Sequence, residues 1–344
     1  MNSKTSVAMA HSLNGLPTPV VLDDKEERKL KEKLNSCLID LSEEMTEPEP
    51  LLNIGEAPLF TSGNISVIGG AAKSRKTFLI AFLIFRYLDE NKKGSVLLID
   101  TEMAKFHTIK TAKRIHTLIG WDIKTNNKRL KVLSLREESP ETRAEILKQS
   151  VCSWRPDLIF LDGVRDLVRD FNSPDESTNM VNLLMRLSSQ NKCHICSVLH
   201  ENKIGGQLRG HLGSELINKS ETVIKVSREN NISTVKSEYS RNKAFEDFCF
   251  TINAEGLPEL CQPEKVSQKA NKLKDMLIEV FGDKKTMAYS ELRSGISIDL
   301  NIKNRAAERK IKDALDLSVL IKNSVGDYYI KPDNINTDET ELPF

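Results

Sequence analysis

The sequence predicts an α/β protein: a mostly parallel sheet with helices on both faces, followed by a small helical module closed by a hairpin. Three observations carry that prediction. Five apolar runs, NISVIGG, SVLLID, LKVLSL, DLIFLDG and HICSVLH, alternate with amphipathic stretches between residues 64 and 200. Strands buried on both faces by intervening helices read in this way. After His200 the runs become short and alternating (TVIKVSR, ISTVKSEYS, FCFTIN), with turn residues such as Glu229-Asn230-Asn231 between them, as in antiparallel strands added to a sheet edge. The last part reads as three helices and two short strands around a Gly-containing turn.

Taken in order, residues 1–22 carry no periodic pattern and are expected to be disordered. Over residues 23–45, Leu30, Leu34, Leu38 and Leu41 recur at spacings of three and four, which predicts a helix with a narrow apolar stripe. So narrow a stripe needs a partner, either the chain's own core or a neighbouring subunit. TEPEPLLNIGEAP reads as a linker into the main domain. Helices are expected at about 77–91, 105–119, 140–153 and 175–190 within that domain, and at 268–281, 289–295 and 303–316 after it. The resulting division is an N-terminal segment 1–49, a main domain 50–261, a linker 262–267, a second module 268–332 and an acidic tail 333–344.

Composition narrows the class. No apolar run approaches the roughly 18 residues of a membrane span, and the N-terminus lacks the basic start and apolar core of a secretory signal. Six scattered cysteines suggest no disulfide framework, so a reducing cytoplasm is expected. Charge is unevenly spread. Residues 265–332 carry 14 Lys/Arg against 9 Asp/Glu, whereas residues 1–264 balance at 36 of each and the last twelve residues carry four acids and no base. A basic module on a neutral body is the asymmetry of a chain whose one end meets nucleic acid, although such a patch is also the form of an ordinary solvated face.

The most informative stretch runs from Gly70 through Ala71, Ala72, Lys73, Ser74, Arg75, Lys76 and Thr77 to Phe78. It joins the strand ISVIG to the apolar helix FLIAFLIF. In a phosphate-binding loop, successive backbone N–H groups and the positive end of the new helix wrap an anion. Lys76 is then expected to reach the β- and γ-phosphates of ATP, and the Thr77 hydroxyl to bind Mg²⁺. Arg75 stands where that pattern has glycine. A side chain there implies strain if φ is positive, and it suggests a second cation near the phosphates. Acids at strand ends strengthen the reading: SVLLIDTE places Asp100 and Glu102, and DLIFLDG places Asp162, where ligands of open α/β sheets bind. Asp162 suits the Mg²⁺ site, and Glu102 suits the base that orients or deprotonates an attacking water.

With these residues in order, the chain resembles the RecA-like P-loop ATPases, in the branch of RepA-type plasmid helicases and DnaB-type replicative helicases. It looks closest to the RepA-like ATPases of bacterial mobile elements, over about residues 50–260. The resemblance implies that IDTE carries the catalytic glutamate, Glu102, and that FLDG is the second nucleotide motif. His200 in SVLHENK would sense the γ-phosphate, and GGQLRGHLGSEL would be the mobile loop and helix facing a hexamer's central channel. It further implies a basic residue reaching into the next subunit's site. EYSRNKAF resembles that segment, with Arg241 the first choice for a trans-acting finger and Lys243 the second. Arg209 competes for the role and is otherwise expected to touch DNA or nucleotide.

Two further groups complete the reading. Cys193, His194 and Cys196 have a superficial metal spacing, but no second pair exists to complete a structural zinc site, so they are expected to pack in the core. The predicted third helix of the last module carries Lys303, Arg305, Arg309, Lys310 and Lys312 with the single acid Glu308 among them, before the helix turns acidic. In a winged helix-turn-helix module that helix enters a major groove or follows phosphates. The expected whole is an ATP- and Mg²⁺-dependent helicase-like or DNA-remodelling enzyme acting on single- or double-stranded DNA. It would be a homo-oligomer, possibly a hexamer, in replication or mobilisation of a mobile element. The alternative is a non-hydrolysing, nucleotide-gated DNA-binding regulator.

Overall fold

Hydrophobic alternation sets the sheet, and side chains at the strand ends set the crevice. The computed structural model of the chain describes residues 23–42, 44, 47–202, 208–317 and 319–331. The expectations placed on residues 1–22, on residues 203–207 and on the acidic tail 333–344 lie outside them. The chain divides into two units between Glu47 and Pro48.

In the first unit, α1 (Asp24–Cys37) begins with a capping box: Asp23 accepts from the amides of Lys25 and Glu26, and Glu26 reaches back to the Asp23 amide. The helix stops eight residues short of the predicted end. Leu38 is extended, and the Asp40 carboxylate accepts from both the amide and hydroxyl of Ser42. That local turn competes with helix, so Leu38 and Leu41 fall outside α1 and the expected four-leucine stripe is halved.

The second unit opens with a hairpin, β1 (Pro50–Ile54) and β2 (Ala57–Thr61), turning at Gly55 with φ 59°. This replaces the predicted linker. Pro48, Pro50 and Gly55 gave the segment a loop composition, but Leu52, Leu59 and Phe60 are buried and hold it on the core.

The alternating part then runs β3 (Ile65–Gly70), α2 (Lys76–Glu90), β4 (Val96–Asp100), α3 (Lys105–Ile119), β5 (Leu130–Ser134), α4 (Pro140–Trp154), β6 (Leu158–Asp162), α5 (Pro174–Asn191), β7 (His194–His200) and α6 (Gly210–Lys219). It continues with β8 (Thr222–Glu229), β9 (Ile232–Ser240), β10 (Phe248–Ile252) and β11 (Pro258–Cys261). The order in the sheet is β11-β10-β9-β8-β3-β7-β6-β4-β5. Strands β3 to β8 run parallel, and β9, β10 and β11 extend the sheet antiparallel. Alternate residues of each central strand face opposite layers. Ile68, Leu98, Phe160 and Val198 join α2 and the β1–β2 hairpin in one core. Val67, Leu97, Ile99, Ile159, Leu161 and Leu199 join α4, α5 and α6 in the other. Strand β5 is the exception to the buried strands expected: it closes one edge of the sheet, pairs with β4 alone, and keeps only Leu130 fully buried.

The remaining elements are α7 (Pro263–Phe281), α8 (Tyr289–Asp299), α9 (Asn304–Asp316) and the hairpin β12 (Leu320–Lys322) with β13 (Tyr328–Ile330). They close over their own core of Leu273, Leu277, Phe281, Leu292, Ile296, Ile311, Leu320 and Tyr328. The predicted linker 262–267 is instead the start of α7. Pro263 is its first residue, a position that needs no N–H donor. Among the described residues, no helix is long and apolar enough to cross a membrane.

Candidate functional site

Strand β3 lies between β7 and β8, while the chain leaves it for β4 further across the sheet. Such a switch in strand order opens a crevice at the carboxyl ends of parallel strands. The loop of residues 70–75 sits over it. A Cβ on Gly70 would stand 2.3 Å from the Val226 carbonyl oxygen and 2.8 Å from the Ser74 hydroxyl, so only glycine allows β3 and β8 this approach. The amides of Ala72 and Lys73 have no acceptor among the described residues, and α2 begins immediately beyond. These are the donors an anion would take.

Arg75 adopts the left-handed conformation at φ 75°, as Lys73 does at φ 65°. Each costs about 1 kcal/mol or more for a residue with a Cβ. The Arg75 guanidinium donates through Nη1 to the Asn231 carbonyl oxygen at 2.8 Å and through Nη2 to the Asn231 side-chain oxygen. The side chain expected to bring a second cation to the phosphates is therefore engaged by the β8–β9 turn. This bidentate contact helps offset the strain of the loop.

Lys76 is buried, and its ammonium donates to the carbonyls of Gly70 (2.8 Å) and Ala71 (2.9 Å) and meets His200 Nδ1 at 3.1 Å. All three ammonium protons thus have partners. Because Lys76 donates, Nδ1 accepts and the His200 proton resides on Nε2, 3.4 Å from Glu102 Oε2. Burial lowers the Lys76 pKa, while Asp162, Glu102 and Glu201 act against that shift. The His200 hydrogen bond holds the Glu102 carboxyl below its usual range.

Asp162, at the end of β6, accepts from the Thr77 hydroxyl at 2.8 Å. Parallel register sets it beside Asp100. Desolvation pushes its carboxyl up to about 6, and the nearby Asp100 and Glu102 charges add to the shift against the pull of Thr77 and Lys76. Asp100 itself is a holder rather than a ligand. It accepts from the amides of Glu102 (3.1 Å) and Met103 (2.9 Å) and from the Thr108 hydroxyl (2.7 Å), which fixes the turn that presents Glu102.

The structure thus brings Lys76, Thr77, Asp162, Glu102 and His200 together. Phe78 is partly buried against the core, with the Arg114 guanidinium 3.9 Å above its ring. Arg209 bonds to the backbone of Glu201 and His200 and is one of the charges felt by Lys76, which seats it at the crevice rim. Arg241 does not enter its own chain's crevice. It follows β9 where Ser240 pairs with Thr222, the end of β8 opposite the loop, and it donates to the carbonyls of Asn218 and Lys219. Lys243 pairs with Glu56 at 3.0 Å.

Helix α9 buries Ala307, Ile311 and Ala314 and exposes Lys303, Arg305, Arg309, Lys310 and Lys312. Of its acids, Glu308 is taken by Arg293 at 3.3 Å and Asp313 by Lys269 at 2.9 Å, which leaves the five bases to dominate the first part of the exposed face. Cys193, His194 and Cys196 are buried. Desolvation raises the Cys193 thiol to about 12, and His194 Nδ1 lies 2.8 Å from the Thr61 carbonyl oxygen.

No protein-family model and no curated protein matches the chain. The functional reading therefore rests on the residues themselves. Sequence reasoning missed Asn231 and Thr108, and the only local signal was the polar turn of Asn230 and Asn231.

Proposed function

We propose that the chain is a RecA-like P-loop ATPase coupled to DNA through a C-terminal winged-helix module. The observation that carries this reading is the convergence of Lys76, Thr77, Asp162, Glu102 and His200, from four strand ends, on one crevice beside a loop whose Ala72 and Lys73 amides have no acceptor among the described residues. Phosphoryl transfer asks for little beyond such positioning and charge. The amides of Ala72 and Lys73 and the Lys76 ammonium would bind the phosphates. The hydroxyl of Thr77 and the carboxylate of Asp162 form a hard oxygen donor pair suited to Mg²⁺. A carboxyl lifted to about 6 by desolvation is one that a cation would relieve. Bound there, Mg²⁺ would neutralise charge on the phosphate oxygens.

Glu102, half-exposed and held ionised by His200, is placed to take the proton of an attacking water. His200 links that base to Lys76, so the state of the phosphates reaches Glu102 through one imidazole. Arg209 is the basic residue closest to serving the same site, and Arg241 is available only to a neighbouring copy. The cationic face of α9 supplies the DNA contact, through phosphates first. Action in replication or mobilisation of a mobile element, and a ring of six, remain parts of the proposal carried by the resemblance.

The test is steady-state ATP hydrolysis with and without single-stranded DNA for wild type, Lys76→Ala and Glu102→Gln. DNA-stimulated turnover in wild type, lost by at least about 100-fold in both variants, is the expected result. Tight nucleotide binding with no turnover in wild type would replace the enzyme by a nucleotide-gated regulator.

A further inference from the structure

The free edge of β5 borders a groove of about 1030 Å³, walled by α3, the loop of residues 123–128 and Trp154 at the end of α4. Six cations line it: Lys105, Lys113, Lys124, Lys128, Lys131 and Arg136, against the two acids Glu137 and Glu138. All six are exposed, and among the described residues none is paired with a carboxylate. Elsewhere in the same domain, surface lysines such as Lys92, Lys148 and Lys236 do have acid partners. Apolar groups also face the groove uncovered: Ile109, Ile123 and Trp154 are 44–47% exposed. Beneath them β5 has one unpaired backbone edge, a ready acceptor for an extended chain.

An occupant must therefore be anionic, apolar at intervals and extended. Residues 332–344, PDNINTDETELPF, carry Asp333, Asp338, Glu339 and Glu341, no cation, and the apolar side chains Ile335, Leu342 and Phe344. We propose that this segment docks in the β5 groove, its carboxylates on the lysine rim and its apolar residues against Ile109, Ile123 and Trp154. Thr108 lines the groove and bonds to Asp100, the residue that holds the Glu102 turn. The docked segment therefore adjoins the support of the candidate base without entering the crevice.

The experiment uses the full chain with Trp121→Phe, leaving Trp154 as the only tryptophan, and no nucleotide, so its outcome is independent of the ATPase reading. Neutralising the segment (Asp333→Asn, Asp338→Asn, Glu339→Gln, Glu341→Gln) is expected to shift Trp154 emission to the red. Amides of residues 130–134 should exchange about tenfold faster, as a local contact is lost. A synthetic peptide of residues 332–344 should reverse both changes, less well as salt rises. Lys113→Glu with Lys128→Glu should reproduce the shift and abolish rescue. The proposal is overturned if neutralisation leaves Trp154 and β5 unchanged, or if the peptide fails to bind. It is equally overturned if oligo-dT, or a second copy through concentration dependence, fills the groove in its place.

Discussion

Arg75 shows how one side chain can stand in for a glycine. The left-handed backbone at this position is needed by the loop, and the Asn231 contact helps hold it. Replacing Arg75 by Gly should keep the loop's shape and remove the tether, leaving nucleotide affinity within about threefold of wild type. Asn231→Ala in the Arg75 background should weaken affinity up to about tenfold, through loss of the charge-assisted bond to the side-chain oxygen, while the bond to the Asn231 carbonyl remains. In the Arg75→Gly background the same change should do nothing. Calorimetric titration of an ATP analogue against the four proteins reads the coupling, and additive effects would remove the tether from the account. Asp162 gives a pH signature. Its folded pKa of about 6 lies above the ordinary 3.8, so the fold binds the proton more tightly than the unfolded chain does. Stability therefore falls as pH rises from about 4 to 6. Asp162→Asn should raise the Tm of the ligand-free protein at pH 7 to 8 and lose that advantage below pH 4, measured by thermal melts across pH.

At the scale of elements, His194 ties β7 to the end of β2 and stacks on Phe60 with ring centroids 4.5 Å apart. Burial lowers its pKa from 6.5 to about 4. The shift is downward, so its contribution is complete above pH 6.5 and is lost as pH falls toward 4. His194→Gln should flatten the acid limb of stability between those values in urea titrations. Much of the element map was legible in the sequence, because the apolar runs of β3, β4, β6 and β7 and the helices α2 to α5 bury continuous faces. The exceptions have physical reasons. The β1–β2 hairpin has the proline and glycine content of a linker and becomes strand through Leu52 and Phe60 packing on a distant core. Strand β5 has an apolar sequence, yet its place at the sheet edge depends on strand order, which periodicity does not encode. In the crevice, Lys76, Thr77, Glu102 and Asp162 could be read from local context. Asn231 could not, since it meets Arg75 across 156 positions of chain. The contacts of Phe78 with Arg114 and of Arg209 with the Glu201 carbonyl likewise arise from packing.

The whole molecule keeps its proposed chemistry and its proposed DNA contact in separate cores. If α9 meets phosphates, Arg305→Ala with Arg309→Ala should reduce the slope of log affinity against log salt by about 2. ATP hydrolysis without DNA should be unchanged. Fluorescence titrations between low and moderate salt test this, and an unaltered slope would assign the basic face of α9 to something other than DNA. Lys76 has a consequence for what the crevice admits. Its three protons are already satisfied by Gly70, Ala71 and His200, so an entering anion must compete with the loop's own carbonyls and an imidazole. On the proposed reading, a triphosphate would engage the amides and the ammonium together and so compete better than sulfate or a monophosphate, which would engage fewer of them. The ammonium's internal partners would thus work as a threshold, setting the crevice to respond to polyphosphate ahead of the smaller anions around it.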